Sequence, residues 1–200
     1  MATIGNAPVF PTESVLPGNL QVTGNATVSG NATISGSSAT VNGNEVRTVG
    51  TSGAILQVVQ ATTSTAVTVN TTTYTDTNLT AAITPTSSSN KILIMINQAY
   101  VYLRSALDMG MGVRIVRDST TIWTSVESGT GPFYDYIDNS TEHDGYATIV
   151  YLDSPATTSS TTYKTQGRPW NTSNTGRVIF NPSNTVANSV STITLMEVVA

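Results

Sequence analysis

A glycine returns every six residues at Gly18, Gly24, Gly30 and Gly36, within Gly-Asn-Leu-Gln-Val-Thr, Gly-Asn-Ala-Thr-Val-Ser and Gly-Asn-Ala-Thr-Ile-Ser. A fixed period constrains architecture before any other feature does. In each unit Leu20, Ala26 and Ala32 stand two residues before Val22, Val28 and Ile34, so each pair projects from one side of an extended chain, with Gln or Thr on the other. Each unit reads as a very short strand closed by a Gly-Asn turn. Such a strand cannot bury its two apolar side chains alone, and the segment 18–44 is too brief to coil into a solenoid with a core of its own. The missing surface has to come from other copies of the chain. The repeat therefore predicts a thin, intertwined, triple-stranded β-shaft over 18–50, with Leu20, Val22, Val28 and Ile34 as its core. Two other readings exist. A stretch this rich in Gly, Asn, Ser and Thr and this poor in charge is compositionally close to disorder. A left-handed hexapeptide β-helix of the acyltransferase type shares the period, but it stacks many more coils and needs a catalytic histidine that is missing here.

Composition changes near Gly50 and divides the chain into a slender segment and one ordinary domain. Charged residues make up 10% of the whole, against ~25% in a typical globular domain, which fits a β-rich exposed surface. The formal net charge of −4 and a pI near 4.7 leave no clustered cations for phosphate, so nucleic acid is excluded as a partner. With no cysteine there is no disulfide framework, and stability must come from β-packing and assembly. The N-terminus has neither the basic nor the apolar region of a secretory signal, and no stretch approaches a membrane span. The expectation is assembly in a cytoplasm without membrane insertion.

Residues 1–17 carry Pro8, Pro11 and Pro17 between Val9, Phe10, Val15 and Leu16. Proline at that density rules out helix and central strand, and the four apolar residues read as anchors of a docking peptide for a larger particle or as a frayed terminus. From Ala54 the pattern becomes short apolar runs parted by Thr, Ser, Asn, Gly and Pro. Strands are predicted at 55–61, 66–69, 79–84, 92–103, 112–117, 121–126, 146–152, 162–166, 177–180 and 191–198, with no convincing helix. Ten such runs predict an all-β, antiparallel β-sandwich of jelly-roll kind over 51–200. The run Ile92–Leu103 is apolar on both faces at its start, through Ile92, Ile94 and Ile96 on one and Leu93 and Met95 on the other. A loop, a neighbouring strand or another subunit must cover the second face.

The segments Ile55-Leu-Gln-Val-Val-Gln, Leu79-Thr-Ala-Ala-Ile-Thr-Pro, Ser89-Asn-Lys-Ile-Leu-Ile, Tyr151-Leu-Asp-Ser-Pro-Ala-Thr-Thr and Ser191-Thr-Ile-Thr-Leu-Met-Glu resemble a C-terminal domain of fibre proteins of tailed bacteriophages, notably marine ones. The resemblance covers most of 54–200, and the glycine hexads resemble the shafts that precede such heads. It implies a homotrimeric virion fibre or spike whose head is a jelly roll of tumour-necrosis-factor-like type. No catalytic motif, cofactor or metal belongs to that pattern. The partners it implies are other copies of the chain, virion proteins reached through the N-terminus, and a host surface glycan or protein.

Chemistry is sparse. The single histidine, His143, lies in Asn-Ser-Thr-Glu-His-Asp-Gly without a Gly-x-Ser-x-Gly nucleophile turn, so no hydrolytic triad is expected and the chain reads as a non-enzyme. Asp135, Asp138, Glu142 and Asp144 around it read as a solvated acidic loop or a Ca²⁺ site of no EF-hand spacing. The stretch Glu127–Gly145 has no strand signal and holds Phe133, Tyr134 and Tyr136; with Trp170 in Arg-Pro-Trp-Asn these aromatic residues are the candidate receptor contacts. Arg114 and Arg117 read as members of a solvated strand face. The Asn-x-Ser/Thr sequons follow from composition. A capsid decoration or collar fibre without a receptor is the rival function.

Overall fold

The computed structural model describes residues 2–4, 20–22, 40–41, 44–45, 52–103, 109–125, 133–135, 142–182 and 189–200. The chain divides into two compact units, Met1–Arg47 and Thr48–Ala200.

In the first unit β1 (Ala2–Ile4) pairs in parallel with β2 (Leu20–Val22), Ala2 opposite Leu20 and Ile4 opposite Val22. The docking segment thus contributes a strand that its prolines did not announce, because Pro8 lies beyond it. Two short strands, β3 (Thr40–Val41) and β4 (Asn44–Glu45), pair antiparallel across the sequence Asn42-Gly43, the dipeptide that two-residue hairpin loops prefer. Val9, Phe10, Val15, Leu16, Val28 and Ile34 lie outside the described residues.

The second unit is all-β, its strands β5 (Ile55–Thr63), β6 (Val67–Val69), β7 (Thr75–Ile83), β8 (Lys91–Leu103), β9 (Met109–Arg117), β10 (Thr120–Thr124), β11 (Tyr134–Asp135), β12 (Glu142–Asp153), β13 (Thr161–Pro169), β14 (Arg177–Phe180) and β15 (Ser191–Val198). The pairing is nested. β9 turns back on β10, β8 pairs with β12, β7 with β13 and β5 with β15, each pair antiparallel. A long hairpin paired in this way and wrapped so that successive pairs alternate between layers is a jelly roll. Contacts between β8 and β15 and between β9 and β13 complete the two sheets, β5-β15-β8-β12 and β7-β13-β9-β10. β14 continues the first sheet beside the end of β8 and carries β6 at its edge, while β11 adds to β9.

Alternation explains the core. Ile92, Ile94 and Ile96 of β8, Ile193 and Leu195 of β15 and Ile149 of β12 face Leu79 and Ile83 of β7, Val113 and Ile115 of β9 and Tyr163 of β13, all buried. Gly167 in β13 makes room for a neighbour, since a Cβ there would lie 2.1 Å from Cζ of the fully buried Phe180.

The ladders run further than apolar runs alone indicate. β7 begins at Thr75 because its inward residue Thr77 bonds to buried Gln98 rather than to apolar neighbours. β12 begins at Glu142, so Glu142 and Asp144 stand on a strand and not in a loop; His143 opposite Tyr102 and Gly145 opposite Tyr100 fill its inward positions.

The sandwich has two distinct ends. Gly53 N–H donates to Val199 O and Val199 N–H to Ala54 O, at 2.8 and 2.9 Å, so the N-terminal entry and the C-terminus share one end with Lys91. Leu103, twelve residues along β8, marks the other end, about 40 Å away at the usual rise per residue.

Candidate functional site

The end at Leu103 holds three of the four predicted contact residues, Phe133, Tyr134 and Trp170. Tyr134 is in register with Gly110 on one side of β9, and Trp170 N–H donates to Gly110 O at 2.8 Å on the other. The two segments singled out from sequence therefore meet at one residue of β9, their backbones two strand spacings apart, about 10 Å. Trp170 is half-buried. Phe133 is half-buried and packs against the core, with its carbonyl accepting from Met111 N–H at 3.1 Å. Part of its surface stays accessible at this end of the sandwich. Tyr136 and Asp138 lie outside the described residues.

Beside Trp170 the outer face of the β7-β13-β9 layer is polar and basic. Tyr74 lies against two guanidinium groups, with Arg114 Cζ 4.3 Å and Arg168 Cζ 5.2 Å from its ring centroid, distances at which the ring's negative face attracts a cation. Arg114 Nε donates to Gln166 Oε1 at 2.8 Å and Arg168 Nη1 to Thr72 O at 3.1 Å. The Tyr74 hydroxyl is enclosed without a hydrogen-bond partner. Asp76 accepts from Lys164 and Gln166; although burial opposes its charge, these bonds hold its carboxyl below the usual range. Arg114 and Arg117 do not share a solvated face as the sequence reading has it. Three residues apart on a strand they point to opposite sides, and Arg117 turns inward to Asp153.

At the same end, on the outer side of β12, β8 and β14, lies a cavity of about 420 Å³ walled by Glu142, Asp144, Tyr146, Val101, Leu103 and Ile179. His143 faces the other way, its Nε2 3.4 Å from the Tyr100 hydroxyl. Among the described residues no group of three His, Cys, Asp or Glu side chains could hold a metal ion, and no helix is long and apolar enough to cross a membrane.

Three buried polar groupings escaped sequence reasoning, and each is closed on itself. Glu197 of β15, with no exposed surface, accepts from Thr86 N–H at 2.7 Å, Thr86 Oγ1 at 2.8 Å, Asn90 Nδ2 at 2.7 Å and Gln57 Nε2 at 2.6 Å. Burial alone would raise its pKa, but the donors from Asn90, Gln57 and Thr86 outweigh it and bring the value down to about 2. Asp153 accepts both from Arg117 Nη1, at 2.9 and 2.8 Å, and from the Tyr163 hydroxyl at 2.7 Å; burial first, then that bond, pushes the Tyr163 phenol far up. Gln98 bridges the layers, its Oε1 accepting from Thr77 and Thr165 hydroxyls and its Nε2 donating to Asn181 Oδ1 and Ser191 Oγ. A buried polar group with every partner in place specifies one packing of the core. The Glu197 and Asp153 carboxylates and the Gln98 amide at their centres are buried, and their work is structural.

No protein-family model and no curated protein matches the chain. Among solved structures, a chain of the structure of infectious bursal disease virus Gx strain is similar over 78% of this chain, at 15% sequence identity and a TM-score of 0.30. This chain spans 39% of that chain's length, and a likeness so slight carries no argument about role.

Proposed function

We propose that the chain is a structural, non-enzymatic component of a virus particle: a fibre made of several copies, three by the resemblance, whose head binds a host surface glycan or protein. Its N-terminus is mounted on the particle and the hexads form the shaft. One observation carries the receptor role. The sandwich is polar, with chain entry and C-terminus at one end, and with Tyr134, Trp170 and the Arg114–Tyr74–Arg168 stack at the other, about 40 Å distant. A head mounted through its N-terminal side would offer that second end outward. Aromatic and arginine side chains are those that dominate binding energy at recognition surfaces.

The test is competition. Purified full-length protein, added to host cells before the particle, blocks adsorption if the head binds a receptor, and the Trp170→Ala protein does not block it. A decoration fibre leaves adsorption unchanged with either protein, which would replace the receptor role by particle stabilisation.

A further inference from the structure

We infer that the outer face of the β7-β13-β9 layer holds the anionic group of an acidic saccharide, with Arg114 as the side chain that grips it. The inference rests on the receptor reading above and adds to it the chemical class of the receptor. Of the six Lys and Arg side chains among the described residues, three, Arg114, Lys164 and Arg168, stand on this face, in a chain whose net charge is −4. Asp76 is the one acid among the described outward residues of the three strands, and it is committed, since its two oxygens accept from Lys164 and Gln166. Lys164 and Asp76 cancel, so the positive excess of the three strands lies with the two arginines beside the Tyr74 ring. An anion bound there relieves the repulsion between two guanidinium groups held near one ring.

Arg114 is set for an oxyanion. Its Nε donates to Gln166 Oε1 at 2.8 Å, Gln166 is itself anchored on Asp76, and the guanidinium lies 4.3 Å from the Tyr74 centroid. The group is thus positioned from two sides, while its Nη1 and Nη2 make no hydrogen bond among the described residues. That pair of donors is the fork that two oxygens of a carboxylate or a phosphate fill. Trp170 continues the β13–β9 ladder by one residue, after Pro169 opposite Met111, so its ring leaves the chain on the side of Arg168 and Gln166. From the Gln166 row to Trp170 is about 13 Å along the strand, a length that suits an oligosaccharide lying from the fork to the indole, whose flat face stacks on a sugar ring. The composition of the face favours a saccharide over a protein. None of the exposed large apolar side chains among the described residues lies on β7, β9 or β13, whereas the centre of a protein contact is apolar.

The test uses full-length protein on an immobilised panel with four arms: carboxylate-bearing saccharides (oligogalacturonate and sialyllactose), phosphate-bearing manno-oligosaccharides, neutral galacto- and manno-oligosaccharides, and polyglutamate. The result expected is retention on the carboxylate or the phosphate saccharides, the arm that responds naming the anion, and none on the neutral ones. Arg114→Gln should weaken that binding at least tenfold. Lys91→Gln, which removes the same charge at the opposite end of the sandwich, should leave it unchanged. Melting temperatures confirm that each variant folds; Arg114→Lys, which keeps the charge and loses the fork, should bind between the parent and Arg114→Gln. Equal binding by the parent and Arg114→Gln, or neutral saccharides held as well as anionic ones, would overturn the inference. So would retention on polyglutamate alone, which transfers the face to an acidic protein. A protein that blocks adsorption to host cells yet binds no arm overturns the inference and leaves the receptor reading standing; one that neither blocks nor binds overturns both.

Discussion

Glu197→Gln isolates the strongest electrostatic feature of the head. The carboxylate has no exposed surface, receives four hydrogen bonds from Thr86, Asn90 and Gln57, and titrates at about 2 in the folded chain against 4.5 for an ordinary glutamate. Because the folded value is the lower one, the charged form favours folding. The contribution is complete above about pH 4.5 and is lost as pH falls toward 2. At 1.36 kcal/mol for each pH unit of displacement it amounts to roughly 3 kcal/mol. A glutamine cannot inherit it. The new amide would set a donor against Asn90, Thr86 or Gln57, and turning Gln57 to accept would break its bond to Thr84 O at 2.8 Å. Urea unfolding at fixed protein concentration, repeated between pH 7 and pH 2, is the assay. The parent is expected to exceed the variant by about 3 kcal/mol at pH 7, with the gap closing below pH 4.5. The comparison cancels the contribution of Asp76, which both proteins share. Parallel acid limbs, or a variant as stable as the parent at pH 7, would refute the assignment.

Gly167→Ala drives a Cβ to 2.1 Å from the buried Phe180 ring and should cost about 1–3 kcal/mol or more by overpacking; Phe180→Leu in the same chain should recover part of the loss, measured as a double-mutant cycle. Tyr74→Phe removes an enclosed hydroxyl without a partner and is expected to leave the melting temperature unchanged or raised. Phe133→Ala should lower the melting temperature, because its ring packs on the core, whereas Trp170→Ala should lower host-cell binding with the melting temperature retained. Binding lost in the first variant and kept in the second would reverse those roles.

The architecture is legible where side chains alternate. Ile92 to Leu103, Arg177 to Phe180 and Ser191 to Val198 match strands nearly residue for residue, because each carries apolar residues two apart that turn inward. Strand halves that bury polar residues are not legible. Thr77 and His143 face inward through hydroxyl and imidazole contacts, and a pattern of apolar periods passes over them. Glu197 and Gln98 mislead for the same reason: a lone acid or amide in an apolar strand reads as its wet face, and only the partners brought by Thr86, Asn90, Asn181 and Ser191 make it the dry one. The ten runs predict a sandwich of jelly-roll kind, while the nested pairing that makes it one is visible only in the register. Of the candidate contacts, the meeting of the Tyr134 and Trp170 segments depends on Gly110, which no local signal marks. The apolar outer face of the β5-β15-β8-β12 layer is half legible: Leu93 and Met95 announce a second apolar side to β8, but Val150, Leu152, Met196 and Val58 join them only through register.

The central claim is that this chain works as several copies wound and packed together, and native mass measured by light scattering on the full-length protein at neutral pH tests it most directly. The account predicts three times the 20.9 kDa of one chain, with a single species across the dilution series. A particle of one chain mass at every concentration would contradict it, since the apolar residues of the hexads would then have no partner.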